Sequence, residues 1–251
     1  MADMTTAEKL SKVYEGVERT EELNAELEQT LYGTDTGGKS FYDEFWDAHQ
    51  ANGTRTNYAN AFACWSADNI RPKYDMKPTT TYMMFRGAVN VVDGLLTLDL
   101  AERLNDCGVI IDTSKCTTFQ YMFYESRIAH VGVLDTRGAA SLNDIFDYSR
   151  IRTIDKLILR DDGSQTISGS FKSCVLLVDI EIEGVIGKNG LNFQWSTSLS
   201  KASITSIINA LSTTTEGLTV TLSKTAKEAA FTADEWSALI ATRTNWTISL
   251  V

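Results

Sequence analysis

The 251-residue chain has two histidines, His49 and His130, and two prolines, Pro72 and Pro78. Two imidazoles far apart in sequence offer no histidine-centred metal site or catalytic arrangement, and a satisfied structural role is the expectation for each. The four cysteines, Cys64, Cys107, Cys116 and Cys174, are unevenly spaced with no C-x-x-C, which excludes a zinc signature and a dense disulfide framework. Free, buried thiols are expected, with a Cys107–Cys116 pair as the alternative. No long apolar run occurs, so the N-terminal "MADMTTAEKLSKVYEGVERTEEL" reads as carrying no export address, and no membrane insertion is expected. Basic residues are outnumbered 33 to 23 and the formal charge is -10, which disfavours nonspecific binding to nucleic acid or an anionic membrane.

What is present is apolar content: 43% of residues are hydrophobic, enough for a substantial core. Residues 1–32 read as one helix whose seam carries Leu10, Val13, Val17, Thr20, Asn24, Leu27 and Leu31 at alternating spacings of three and four. Two readings stand. One is an amphipathic helix or arm on its own domain; the other is a short coiled coil that oligomerises or docks the protein, with Leu10, Val13, Val17, Leu27 and Leu31 as its contacts. The glycine-rich residues 33–40 then form a linker. Their "GKS", Gly38 to Ser40, follows a predicted helix and not the strand a phosphate loop requires, so a P-loop is rejected.

Ser40 can cap a second helix carrying Phe41, Phe45, Trp46 and His49, and the aromatic-rich connection to residue 80 completes an N-terminal cap, 41–80. Its aromatics read as core, because the basic residues a base-stacking surface needs are sparse. The body, 81–200, is periodic. Phe123, Phe146 and Phe171 are anchors at steps of 23 and 25 residues. "FYESRI" and "FDYSRI" share Ser-Arg-Ile, whereas the third copy, "FKSCVL", keeps only the Phe and the later aliphatic. Packing is therefore what repeats, with Ile128, Ile151 and Leu176 as the second anchor set and Ser126, Ser149 and Cys174 between.

Each anchor leads into a β-rich string, the last alternating Val178, Ile180 and Ile182 against Asp179, Glu181 and Glu183. Such a unit cannot bury its apolar face alone, so strands should stack beside strands and Phe above Phe. An imperfect unit begins at Phe85 and is separated from the next by an inserted helix in "GLLTLDLAERLNDCG". A degenerate one follows Phe171, with Gln194 in the anchor register and Leu199 in the later apolar one. Residues 201–251 read as a β-α-α-β cap: a strand with Leu218, Val220 and Leu222, helices capped by Ser223 and Thr232, and a strand with Trp246, Ile248 and Leu250.

The anchor Phe, the Ser or Cys three residues on and the hydrophobic strand after it resemble the BspA-type leucine-rich repeat. With "FYDEFWDAHQANGTRTNYANAFA", "PKYDMKPT", "SITSIINALS", "LTVTLSKTA" and "FTADEWSALIATRTNWTISLV", residues 40–251 resemble short leucine-rich-repeat proteins of phages and prophages of Firmicutes and other gut bacteria. The resemblance implies a short leucine-rich-repeat-like solenoid; with the N-terminal helical arm, which the resemblance does not cover, and the C-terminal β-α-α-β cap, the expected fold class is α/β. It also implies a noncatalytic virion component: fibre, decoration or host-adhesion protein.

The expected partners are further copies of the chain, as a trimer by analogy with phage fibres, other virion proteins and a host surface receptor. The expected location is the virion, assembled in the host cytoplasm and extracellular after release. No cofactor, metal or catalytic residue is assigned, and recognition is expected from outward residues between anchors, including Arg127 and Arg150. The acidic pairs Asp161-Asp162 and Asp179-Glu181-Glu183 read first as a solvated face and second as a cation or sugar site. A bacterial surface or secreted adhesin of the same repeat type is the alternative, and a cell-wall hydrolase comes third.

Overall fold

The computed structural model describes residues 56–59, 77–87, 96–98 and 112–251, with 96–98 as backbone only. All belong to one unit, Arg55–Val251. The expected helix with Leu10, Val13, Val17, Leu27 and Leu31, the linker at 33–40, the helix carrying His49, and Cys64 and Cys107 lie outside the described residues.

Five phenylalanines, one from each turn, pack on one another. Phe85, Phe123, Phe146, Phe171 and Phe193 are each at most 1% exposed. Their rings stack in sequence with centroids 5.5, 5.0, 5.5 and 4.7 Å apart and planes tilted by 22° at most. Burying a Phe contributes roughly 1.5–3 kcal/mol and ring pairing about 0.5–1.5 kcal/mol more, so the ladder is a principal source of cohesion between turns.

The backbone around each anchor explains why such different sequences build the same turn. Residues two before and two after it adopt positive φ: Met83 and Gly87, Tyr121 and Glu125, Asp144 and Tyr148, Gly169 and Ser173. A residue at positive φ in the third place of a four-residue turn is the type II arrangement, and here Met122 N–H bonds to Phe119 O and Ser126 N–H to Phe123 O. The same alternation aims every second N–H at the next turn. Phe85, Phe123 and Phe146 donate to Met122 O, Ile145 O and Ser170 O at 2.8, 2.8 and 3.0 Å. Polar backbone buried between turns is thereby satisfied without a helix.

After each turn the chain enters a strand. β1 (Leu96–Leu98), β2 (Ile128–Asp135), β3 (Thr153–Ile158) and β4 (Asp179–Glu183) lie side by side in chain order. All three pairings are parallel. The expected inserted helix is thus corrected at its start, because 96–98 pair with β2 as a strand. Inward residues align across the sheet, Val131 with Ile154 and Ile180, and Leu134 with Leu157 and Ile182.

Two register expectations also need correction. Leu176 is half-buried, whereas Leu177 is fully buried. Ile154 pairs with Ile180, a 26-residue step, so one extra residue after Phe171 moves the Ile151 role to Leu177. Gln194 is likewise not an anchor; Phe193 stacks on Phe171 and carries the ladder on.

Beyond β4 the sheet ends on a helix, α1 (Lys201–Ala210), capped by Ser200. Ser203 and Ser206 lie three apart on one helical face, and their Oγ atoms accept the Ile180 and Ile182 N–H groups, both at 2.8 Å. Side-chain hydroxyls thus stand in for the carbonyls of a further strand, which covers an edge otherwise open to pairing.

A second parallel sheet joins β5 (Asn192–Phe193), β6 (Leu218–Leu222) and β7 (Trp246–Leu250). Between β6 and β7 run α2 (Lys224–Ala230), α3 (Ala233–Ile240) and a 3-10 turn, Ala241–Arg243. Ser223 caps α2, and Thr232 with Glu235 forms a reciprocal capping box on α3. The Arg243 guanidinium donates to Asn209 O and Leu211 O at the C-terminal end of α1, where a cation complements the helix dipole.

Candidate functional site

The outward face of the four-stranded sheet is the candidate site, built by alternation along β4 and by an irregularity in β3 between Ile154 and Leu157 that leaves both Asp155 and Lys156 outward. With Val131, Ile154, Leu157, Ile180 and Ile182 turned inward, His130, Asp155, Lys156, Asp179, Glu181 and Glu183 are left on the solvent side. They are ordered by polar and charged pairs across strands. His130 Nε2 lies 2.9 Å from Asp155 Oδ1, and Lys156 Nζ lies 2.9 Å from Glu181 Oε1 and 3.1 Å from Glu183 Oε2. Hydrogen bonds to Glu181 and then Glu183 raise the Lys156 pKa and keep it cationic. Exposed pairs of this kind contribute little to stability, typically about 0–1 kcal/mol, so they define the surface more than they hold it together.

The face continues into an open groove of about 790 Å³ between β4 and α1, lined by Glu181, Lys201, Thr205, Ser206 and Asn209 among others. Its polar groups include donors and acceptors of both charge types, and Lys201 is itself paired with Glu235 at 2.6 Å. That arrangement suits recognition of polar or hydroxylated groups. Among the described residues, no group of three or more His, Cys, Asp and Glu side chains is placed to hold a metal ion. Among them also, no helix is long and apolar enough to cross a membrane.

The anticipated anchors Phe123, Phe146, Phe171, Ile128 and Ile151 are buried, while Leu176 yields its place to Leu177. Arg127 and Arg150 are exposed between anchor and strand. Cys116 and Cys174 are free and buried, and burial pushes the Cys174 thiol up to about 12. A thiol so far above neutral pH is a poor nucleophile. Cys174 Sγ is 3.1 Å from Phe146 O and Ser196 Oγ donates to Cys174 O at 2.9 Å, so the small residues three after Phe171 and Phe193 link successive turns, whereas the buried Ser126 Oγ has no partner.

Sequence reasoning missed Phe193 and the strand-capping serines. Phe193 had a legible signal, Ser196 three residues on and Leu199 six on, but its 22-residue step fell outside the earlier spacing. Ser203 and Ser206 had none, because serine spaced three apart on a helix is commonplace until a strand edge lies beside it. Comparison with known proteins finds no match: no family model matches the chain, no curated protein sequence does, and no solved structure does.

Proposed function

We propose that this chain is a noncatalytic, leucine-rich-repeat-like solenoid protein of a phage virion, a fibre, decoration or host-adhesion component. Its charged sheet face and the adjoining groove are its contact surface, and the segment with Leu10, Val13, Val17, Leu27 and Leu31 joins copies or docks them. The observation that carries this reading is the division of labour along the turns. Inward positions repeat as Phe and aliphatic residues, while outward ones change from turn to turn: His130, then Asp155 and Lys156, then Glu181 and Glu183. A scaffold with a constant inside and a variable outside suits recognition, as in repeat proteins generally.

The assignment to a virion rests on the resemblance of residues 40–251 to phage and prophage repeat proteins. Mass spectrometry of purified particles from a lysate tests it: the chain should be recovered in them at stoichiometric amounts. Its absence from particles together with its presence on uninfected host cells would replace this reading with that of a bacterial adhesin. Mass measurement of the full chain against one starting at Phe41 tests oligomerisation, and equal assembly states would remove that role from the N-terminal segment.

A further inference from the structure

A second surface lies on the turns, away from the sheet face. Tyr82, Tyr121, Tyr124 and Tyr148, drawn from three successive turns, form an unbroken chain of edge-to-face rings with centroid steps of 6.1, 5.4 and 6.0 Å. The Arg86 guanidinium lies over the Tyr124 ring at 5.7 Å. Glu125 is exposed beside them, and Tyr148 is 52% exposed. Trp195, 53% exposed, stands two residues after its anchor just as Tyr148 does.

Folding does not account for these side chains. Tyr121, Glu125 and Tyr148 sit at φ 58, 57 and 56°, a conformation unfavourable for L-residues, and glycine occupies the equivalent places at Gly87 and Gly169. Tyr148 thus carries backbone strain while leaving half its ring in water. Strained residues with exposed aromatic side chains point to a surface kept for contact.

We propose that the four tyrosines form a platform for an extended glycan chain, with Glu125 accepting its hydroxyls and Arg86 donating to its oxygens. A sugar ring has an apolar C–H face suited to an aromatic surface and a rim of hydroxyls that both donate and accept, and this strip supplies partners for each. Nucleic acid is disfavoured by Glu125, Asp144 and Asp147 in the strip. A proline-rich peptide needs slots between rings, whereas these rings touch one another, so a ligand lies across them. This surface is separate from the sheet face, and its test does not depend on where the protein resides.

The test is binding of the full chain to an array of defined oligosaccharides that includes β-1,4-linked N-acetylhexosamine, glucan and galactan chains. Tyr148→Gly and Tyr124→Ala are compared with the parent, and an immobilised decaproline peptide is included. The expected result is retention on at least one glycan class, weakened at least tenfold by either variant, while Tyr148→Gly melts at or above the parent temperature because glycine relieves the strain. Retention on no glycan, glycan binding unchanged in both variants, or decaproline binding lost in Tyr148→Gly would each overturn the proposal.

Discussion

The stacked turns through residue 183 and the unit from Lys201 onward solve the same problem by different means. In the stack no helix forms among the described residues; neighbouring turns share Phe stacking and a lattice of turn-to-turn backbone hydrogen bonds. In the C-terminal unit each helix has its own side-chain cap, and single polar side chains fasten one element to the next, as Trp246 Nε1 does to Ser212 O at 2.9 Å. Cohesion in the first region is collective, spread over stacked rings and repeated backbone hydrogen bonds. In the second it is assembled from local, separable contacts, so substitutions should cost more in the stack than at the caps.

The largest effect should come from Phe146→Ala, which removes the ring stacked on both Phe123 and Phe171. A loss of about 3–5 kcal/mol is expected by denaturant unfolding. Phe231, with one ring partner in Trp236, should lose less on truncation, and an equal or greater loss would break the contrast between the regions. Next is the register correction. Leu177→Ala should cost about 2–5 kcal/mol and Leu176→Ala clearly less; the reverse order in melting experiments would restore Leu176 as the packing residue.

The boundary between the regions is tested by Ser203→Ala, which leaves the Ile180 N–H without its acceptor. The expected cost is about 1–3 kcal/mol, accompanied by faster amide exchange at Ile180. Unaltered exchange there would mean the hydroxyl is not what protects the strand edge. A smaller effect belongs to Thr232→Ala, about 1 kcal/mol from loss of the α3 cap.

The smallest is dependent on pH. Lys201, followed by the Thr232 backbone and hydroxyl, lowers the Glu235 carboxyl to about 2 from its ordinary 4.5. A depressed carboxylate pKa gives stability that is present above the unfolded-state value and is lost as pH falls between the two. The melting-temperature difference between the parent and Glu235→Gln should therefore be constant from neutral pH to about 5 and shrink toward pH 2. A difference that persists at pH 2 would show that it does not come from ionisation.

Much of the stack was legible because its signals are local and repeated. The Phe spacing, the small residue three positions on and the period-two strands at Ile180 and Ile182 each depend on backbone geometry that neighbouring residues impose. The C-terminal unit was legible for the same reason: Ser223 and Thr232 announce helix starts, and both cap α2 and α3. The single-residue insertion after Phe171 was not visible, since Leu176 and Leu177 are chemically identical and only pairing with β3 distinguishes them. The outward sites were less legible still, because His130 and Asp155 are 25 residues apart and meet only when one turn lies on the next.

From the sequence alone came the apolar period, the anchors Phe123, Phe146 and Phe171, the strands that follow them and the order of the last four elements. These rest on contacts within a turn or on a pattern repeated by every turn. Tertiary structure alone decided which leucine faces inward, that Phe193 extends the ladder, that two serines close the sheet, and that four tyrosines share one surface. Those features depend on how far each turn is rotated and shifted against its neighbour, and that offset is set by packing between residues more than twenty positions apart.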